Sequence, residues 1–223
     1  MNLSVIIPVL NEAANIQACL AALQSSRGHG CEIIVVDGGS TDTTIQLAEP
    51  LSDVILKSDK GRAQQMNTGA AVAQGGVLLF LHADTLIEFD LEKALKSINS
   101  AQAWGHFDVR LSGGHFFLRV IGFFMNIRSR LTAIATGDQA IFITRDLFQK
   151  VGGFPDIELM EDIELSSRLK KICRPVWLHQ TVISSSRRWE QQGIIRTVLK
   201  MWRLRFRYWL GTVPSVLARE YDQ

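Results

Sequence analysis

The first eighty-odd residues admit few folds, because apolar runs of strand length alternate regularly with segments of helical periodicity. "LSVIIPVL" (3–10), "CEIIVVD" (31–37), "DVILK" (53–57) and "VLLFLH" (77–82) read as strands, the last buried on both faces. Between them Asn11 to Gln24 reads as a helix with Ile16, Leu20 and Leu23 on one face. Thr43 to Leu51 and Ala63 to Ala73 read as two more. Such alternation predicts parallel strands joined by right-handed crossovers. Ligands of parallel sheets gather at the carboxyl ends of the strands.

Polar residues stand at those ends. The first strand gives Pro8 to Glu12, the second Asp37 and "GGSTD", the fourth His82 and Asp84. One polar strand end only marks where a loop meets water; three in register predict a site. Two glycines after Asp37 let the backbone turn sharply and a flat ring approach, with the carboxylate accepting an N–H from a base such as uracil. Ser40, Thr41 and Asp42 read as caps of the next helix, the commoner use of such residues. No GxGxxG follows the first strand, which disfavours a nicotinamide-binding enzyme.

The second half is less regular. Leu91 to Ser100 reads as helical, "AWGHFDVRL" as extended, and His115 to Thr132 as an apolar-rich helix. "DQAIFIT" reads as a strand, Arg145 to Val151 as a short helix, "GGFPD" as a turn and Glu161 to Lys171 as a helix. "RPVWLH" reads as a strand and Ile194 to Leu210 as the final helix. Glu161 and Asp162 at a helix start suit the dipole without further role. The composition, 47% hydrophobic and 21% charged, is that of a globular chain. Cys19, Cys31 and Cys173 are odd in number and form no CxxC pair, so neither a disulfide framework nor a zinc site is expected. The apolar run at Leu3 meets Asn11-Glu12 at once, unlike a signal peptide, and Phe116 to Ile127 is too short to span a bilayer. A cytoplasmic protein is expected.

Seven segments, "VIIPVLNE", "VVDGGSTD", "GRAQQMNTGA", "FLHADT", "GDQAIF", "MEDIEL" and "RRW", occur in that order between Ser4 and Trp189. The ordered set resembles a family 2 glycosyltransferase, and within it a small bacterial subgroup with HAD in place of DxD. The resemblance implies an α/β GT-A nucleotide-diphospho-sugar transferase fold, a mostly parallel central sheet with flanking helices. It implies a domain over 1–192, with a nucleotide-binding half (1–100) and an acceptor or catalytic half (101–192), then an amphipathic helix and tail over 193–223. The implied reaction moves a hexosyl group from a nucleotide-sugar donor, UDP-linked, to an acceptor hydroxyl with inversion.

The same resemblance implies residue roles. Pro8, Leu10, Asn11 and Glu12 line the nucleotide pocket, with Asp37 and Gly38 at the base and Arg62 and Asn67 toward base, ribose or phosphates. Asp84 holds a divalent ion, Mn²⁺ or Mg²⁺; His82 either joins it, favouring Mn²⁺, or touches ribose beside Ala83. His179 is an alternative further ligand, against the plainer reading of a surface or core histidine. Asp162 is the general base with Glu161 beside it, and Gly137, Asp138 and Gln139 approach acceptor and donor sugar. Arg188 and Trp189 echo a QxxRW motif in which Ser185 replaces Gln, and Arg188 steadies the leaving diphosphate. The rival readings are a nucleotidyltransferase, whose Gly-rich basic loop is missing, and a non-catalytic sugar-nucleotide-binding or membrane-docking module.

"GIIRTVLKMWRLRFRYWL" (193–210) carries Ile195, Val198, Leu199, Trp202, Phe206, Trp209 and Leu210 on one stripe and Arg196, Lys200, Arg203 and Arg207 on its neighbour. That pattern predicts peripheral contact with the inner face of an anionic membrane and a lipid-linked acceptor. The competing expectation is that the apolar stripe docks on the catalytic domain or on a second copy, as a homodimer. Nucleic acid is not expected, because the basic residues are few.

Overall fold

Runs of β-branched and leucine side chains form the four strands of one half of the sheet. In the computed structural model, which describes residues 2–96, 98 and 102–222, these are β1 (Leu3–Val9), β2 (Glu32–Asp37), β3 (Val54–Lys57) and β4 (Val77–Phe80). They pair in parallel in the order β3-β2-β1-β4, linked by α1 (Ile16–Arg27), α2 (Thr44–Ala48) and α3 (Arg62–Val72). Every residue of β1 is buried, because alternate side chains face two different cores. Val5, Ile7 and Val9 pack with α1, whereas Ile6 packs with Ala63 and Met66 of α3. Each such aliphatic side chain contributes about 1.5–3 kcal/mol on burial. Gly69 lets α3 lie against β1, since a Cβ there would come within 2.5 Å of Ile6 Cγ2.

The second half completes the sheet with β5 (Thr85–Leu86), β6 (Trp104–Leu111), β7 (Ile141–Thr144) and β8 (Val176–Ser184). The full order is β3-β2-β1-β4-β7-β6-β8-β5. The sheet is mostly parallel by a narrow margin, because β7 runs antiparallel to both β4 and β6, and β5 to β8. The remaining helices are α4 (Leu91–Leu95), α5 (Phe116–Thr132), α6 (Arg145–Lys150), α7 (Glu161–Leu169), α8 (Arg187–Gln192), α9 (Ile194–Trp209) and α10 (Pro214–Asp222).

Several predicted boundaries move, each for a local reason. The first helix starts at Ile16, not Asn11, because residues 11–13 are tied to the turn after β2. Asn11 adopts φ 55°, its Oδ1 accepts the Thr41 N–H, and the Glu12 N–H donates to Thr44 Oγ1. "DQAIFIT" is a strand only from Ile141; Gly137–Gln139 forms a 3-10 turn capped by Thr136 and Gln139. The strand at "RPVWLH" continues to Ser184 through a bulge opposite Phe107 and Asp108. The helix expected to reach Ser100 is α4, ending at Leu95; Ser97, Asn99, Ser100 and Ala101 lie outside the described residues, and with them the boundary between the two halves. Among the described residues no helix is long and apolar enough to cross a membrane.

Candidate active site

β4 ends at Phe80, and the next residues climb out of the sheet as His82, Ala83 and Asp84. β5 then pairs with the last residues of β8, so the Ser185 N–H donates to the Asp84 carbonyl at 3.1 Å. That pairing carries Arg188, at the start of α8, to the rim on which Asp84 stands. A cavity of about 370 Å³ opens there, lined by Glu12, Arg62, His82, Asp84, Gly137, Asp138, Glu161, Asp162, Arg188 and Trp189, among others.

Its floor is organised around Gly137. A Cβ at this position would come within 2.3 Å of the His82 ring, so the ring and the turn touch because residue 137 has no side chain. The Gly137 N–H donates to Asp162 Oδ2 at 2.9 Å, and the Ile163 N–H donates to Asp162 Oδ1 at 2.7 Å. Met160, at φ 72°, turns the chain abruptly before the two acids. It is buried with Leu159 against Leu204 of α9 and Leu217 of α10.

Electrostatics divides the acids. Burial, and then the charge of Asp162, push the Glu161 carboxyl up to about 7. Burial also raises Asp162, against the two backbone N–H groups that favour its charged form. Burial alone would raise Asp138 as well, but His82, Arg62 and Arg188 outweigh it and hold it below the usual carboxylate range. The His82 Nδ1 lies 3.8 Å from Asp138 Oδ1. Burial opposes its charge, yet Asp138 and Asp84 raise it overall. Arg188 lies over the Tyr221 ring, its guanidinium carbon 4.2 Å from the centroid.

Other expected site residues lie elsewhere. Asp37 is buried, accepts the Ser40 N–H at 2.9 Å and does not line this cavity, so the three carboxylates of Asp37, Asp84 and Asp162 do not share one chamber. Asn67 has both amide atoms on the Phe154 backbone, each at 2.9 Å, rather than turned to a ligand. Gln139 is fully buried and its amide donates to Ser129 Oγ. Ala83 is part of the core, Pro8 is buried in β1, and Leu10, Asn11 and Gly38 are not among the lining residues. His179 is exposed on β8 near its bulge and also stands apart from the cavity. Gln65, which the sequence does not single out, ties β1 to β2 by donating to the carbonyls of Val9 and Val36, both at 2.8 Å. Thr197, Met201, Arg205 and Tyr221 line the cavity from α9 and α10. Arg205 stands out in the sequence only as a basic outlier at the edge of the apolar stripe. Thr197 and Met201 share its face of α9, which is neither the apolar stripe nor the basic one, and Tyr221 comes from α10.

Known proteins share this arrangement of elements. Residues 4–151 match the profile of a family described as "Glycosyl transferase family 2". The PGL/p-HBAD biosynthesis glycosyltransferase of Mycobacterium bovis (strain BCG / Pasteur 1173P2) is 33% identical over 168 residues, covering 68% of this chain and 62% of that protein. The chain thus spans about 62% of the length of this curated relative. Staphylococcus aureus TarS 1–349, in a crystal structure with UDP-GlcNAc, is similar with a TM-score of 0.67 at 19% identity over 83% of this chain and 58% of that one. The mannosyltransferase PcManGT from Pyrobaculum calidifontis, in complex with GDP-Man and Mn²⁺, gives 0.62 at 22% identity over 82% and 56%. At these identities the two structures show a shared fold.

Proposed function

The chain belongs to glycosyl transferase family 2 and has the GT-A fold, and from that premise we propose that it transfers a hexosyl group from a UDP-linked donor to an acceptor hydroxyl with inversion. One observation carries the reading: Asp84, Asp162, Arg62 and Arg188 line a single cavity reached by the carboxyl ends of parallel strands. A binding module has no need of a carboxylate oriented by two backbone N–H groups in the same cavity as two guanidinium groups, so the shared cavity favours catalysis over binding alone. UDP is proposed by likeness to TarS, whose structure holds UDP-GlcNAc.

Asp162 takes the proton of the acceptor hydroxyl. Burial keeps it more basic than an exposed carboxylate, and the Gly137 and Ile163 N–H groups fix its orientation. The hydroxyl oxygen forms its bond to the anomeric carbon opposite the diphosphate, whose own bond to that carbon breaks with the electron pair going to the leaving oxygen. Arg62 and Arg188 offset the charge that gathers there, and the guanidinium fork suits a diphosphate.

Among the described residues no three His, Cys, Asp or Glu side chains converge to hold an ion. His82 is engaged by Asp138, which leaves Asp84 as the protein's ligand. One carboxylate fits a Mn²⁺ or Mg²⁺ that arrives on the donor, because such ions share a carboxylate with phosphate oxygens. When bound, the metal would neutralise diphosphate charge.

We place the protein at the inner face of a membrane with a lipid-linked acceptor, supported by an apolar stripe of α9 that stays exposed, Trp202 at 70% and Trp209 at 79%. A homodimer covering the same stripe is the competing proposal. Slow hydrolysis of UDP-sugars without acceptor tests the transfer reading. Turnover lost in Asp162→Asn supports it; no hydrolysis and no thermal stabilisation of the wild-type protein by any nucleoside diphosphate or sugar nucleotide would overturn it.

A further inference from the structure

A second concavity of about 430 Å³ runs between α5 and α9. Ile121, Phe124 and Met125 wall it on one side, and Val198, Met201 and Trp202 on the other. It is not a separate chamber, since Asp138, Trp189, Met201 and Arg205 line both it and the catalytic cavity. An apolar trough that opens into a polar, carboxylate-bearing site suits a molecule with both characters.

The trough also has a charge preference. Arg128 and Arg205 line it, and among the described residues the Nε of each is buried without a hydrogen-bond partner. Neither forms an ion pair with a carboxylate among the described residues, whereas Arg130, Arg168, Arg203 and Arg207 all do. Asp138, which also lines the trough, and Asp162 act on Arg128 through space, but neither guanidinium is held in a direct ion pair. Two such groups beside an apolar wall favour an anionic group at the junction over a cationic one.

We propose that this trough is the acceptor subsite, taking the apolar chain of an anionic amphiphile whose charged group sits between Arg128 and Arg205 and whose reacting oxygen reaches Asp162. The assignment rests on the transferase reading and adds the chemical class of its acceptor. It also accounts for the outward side chains at the mouth, where Phe124 and Trp202 are both mostly exposed and would flank an entering chain.

The test is calorimetric titration with monomeric decyl phosphate, below its micelle concentration, with decyltrimethylammonium and inorganic phosphate as comparators and UDP as the donor-side control. The expected result is saturable binding of decyl phosphate at one site, weaker binding of both comparators, and a loss of about tenfold in Phe124→Ala and Trp202→Ala. Both variants alter exposed side chains and should bind UDP as the wild type does. Arg128→Gln should bring decyl phosphate and decyltrimethylammonium to similar affinity. Equal affinity for the two amphiphiles in the wild type, or decyl phosphate binding untouched by both trough substitutions, would overturn the proposal. Retained UDP binding with no decyl phosphate binding overturns the subsite alone, whereas loss of both overturns the transferase reading beneath it.

Discussion

Asp162 and Glu161 are neighbours in sequence with opposite hydrogen-bonding circumstances. Two backbone N–H groups donate to different oxygens of the Asp162 carboxylate, so Asp162→Asn removes the base and one of those two acceptors. Donor affinity should be kept, since neither bond is to the donor, while transfer falls by at least about 10²–10⁴, the usual worth of a positioned base. Single-turnover kinetics beside UDP titration would check this, and a near wild-type rate would remove Asp162 from the role. Glu161 is buried with its carboxyl pushed up to about 7 from its ordinary 4.5. The folded state therefore takes the proton more readily than the unfolded chain. The stability this gives is complete below pH 4.5 and is lost as the pH rises toward and past 7. Glu161→Gln should remove that dependence and be more stable than the wild type by about 3 kcal/mol at pH 8, measured by urea denaturation at several pH values. Identical pH profiles for the two proteins would show that burial of the charge carries no such cost. Gly137→Ala drives a methyl group into the His82 ring and should cost about 1–3 kcal/mol and lower turnover, read as Tm and initial rate. The sequence singles out "HADT", "GDQ" and "MEDIEL", and residues of all three line the one cavity. The contact between His82 and Gly137 was not legible there, because it joins residues 55 apart that only the β4–β7 pairing brings together.

Among the elements, α9 is where sequence pattern and packing differ most. Its composition announces an apolar stripe and a basic one, and the ordinary expectation is that the apolar stripe docks. Instead Thr197 and Leu204 are the fully buried residues, with Met201 and Tyr208 partly buried beside them, so the helix seats itself by a third face. The basic stripe is partly engaged within the chain, since Arg203 and Arg207 pair with Glu220 of α10 and the Lys200 ammonium donates to the Tyr221 carbonyl. A period of 3.6 residues shows that faces exist, and it does not show which one a distant Leu159 and Met160 will meet. Leu204→Ala should therefore cost about 2–5 kcal/mol, whereas Leu199→Ser on the exposed stripe should stay within about 0.5 kcal/mol. Chemical denaturation of the two variants distinguishes the faces. A larger loss for Leu199→Ser would mean that the stripe is covered in solution. The parallel strands were more legible, because a strand buried on both faces reads as an unbroken apolar run whatever its neighbours.

For the molecule as a whole, the exposed apolar residues are not scattered. Phe116, Phe117, Phe123 and Phe124 project from α5, and Ile195, Leu199, Trp202, Phe206 and Trp209 from α9, the two helices that flank the trough beside the catalytic cavity. Monomeric proteins rarely leave so much large apolar surface in one region without a partner for it. The sequence made the α9 part of this surface legible and missed α5, whose apolar residues read equally well as a core-facing stripe. Only the packing of Gly122 onto β6, with its position too close to the Val109 carbonyl for a larger side chain to fit easily, settles which side of α5 turns inward. Among the described residues Arg196 and Arg119 on these helices form no ion pair with a carboxylate, whereas Arg203 and Arg207 share Glu220, so less positive charge faces outward than the composition of α9 suggests. Membrane contact should then be chiefly apolar, with a modest electrostatic share of about 1 kcal/mol for each outward basic residue. The expected outcome is sedimentation with vesicles of mixed anionic and neutral lipid, weakened only in part by salt. Trp202→Ala combined with Phe206→Ala should abolish it, and Phe117→Ala with Phe123→Ala should lower it more than Arg196→Gln with Arg119→Gln does. Equal and negligible pelleting with anionic and neutral vesicles, together with a concentration-dependent dimer by light scattering, would assign the same surface to a second copy of the chain.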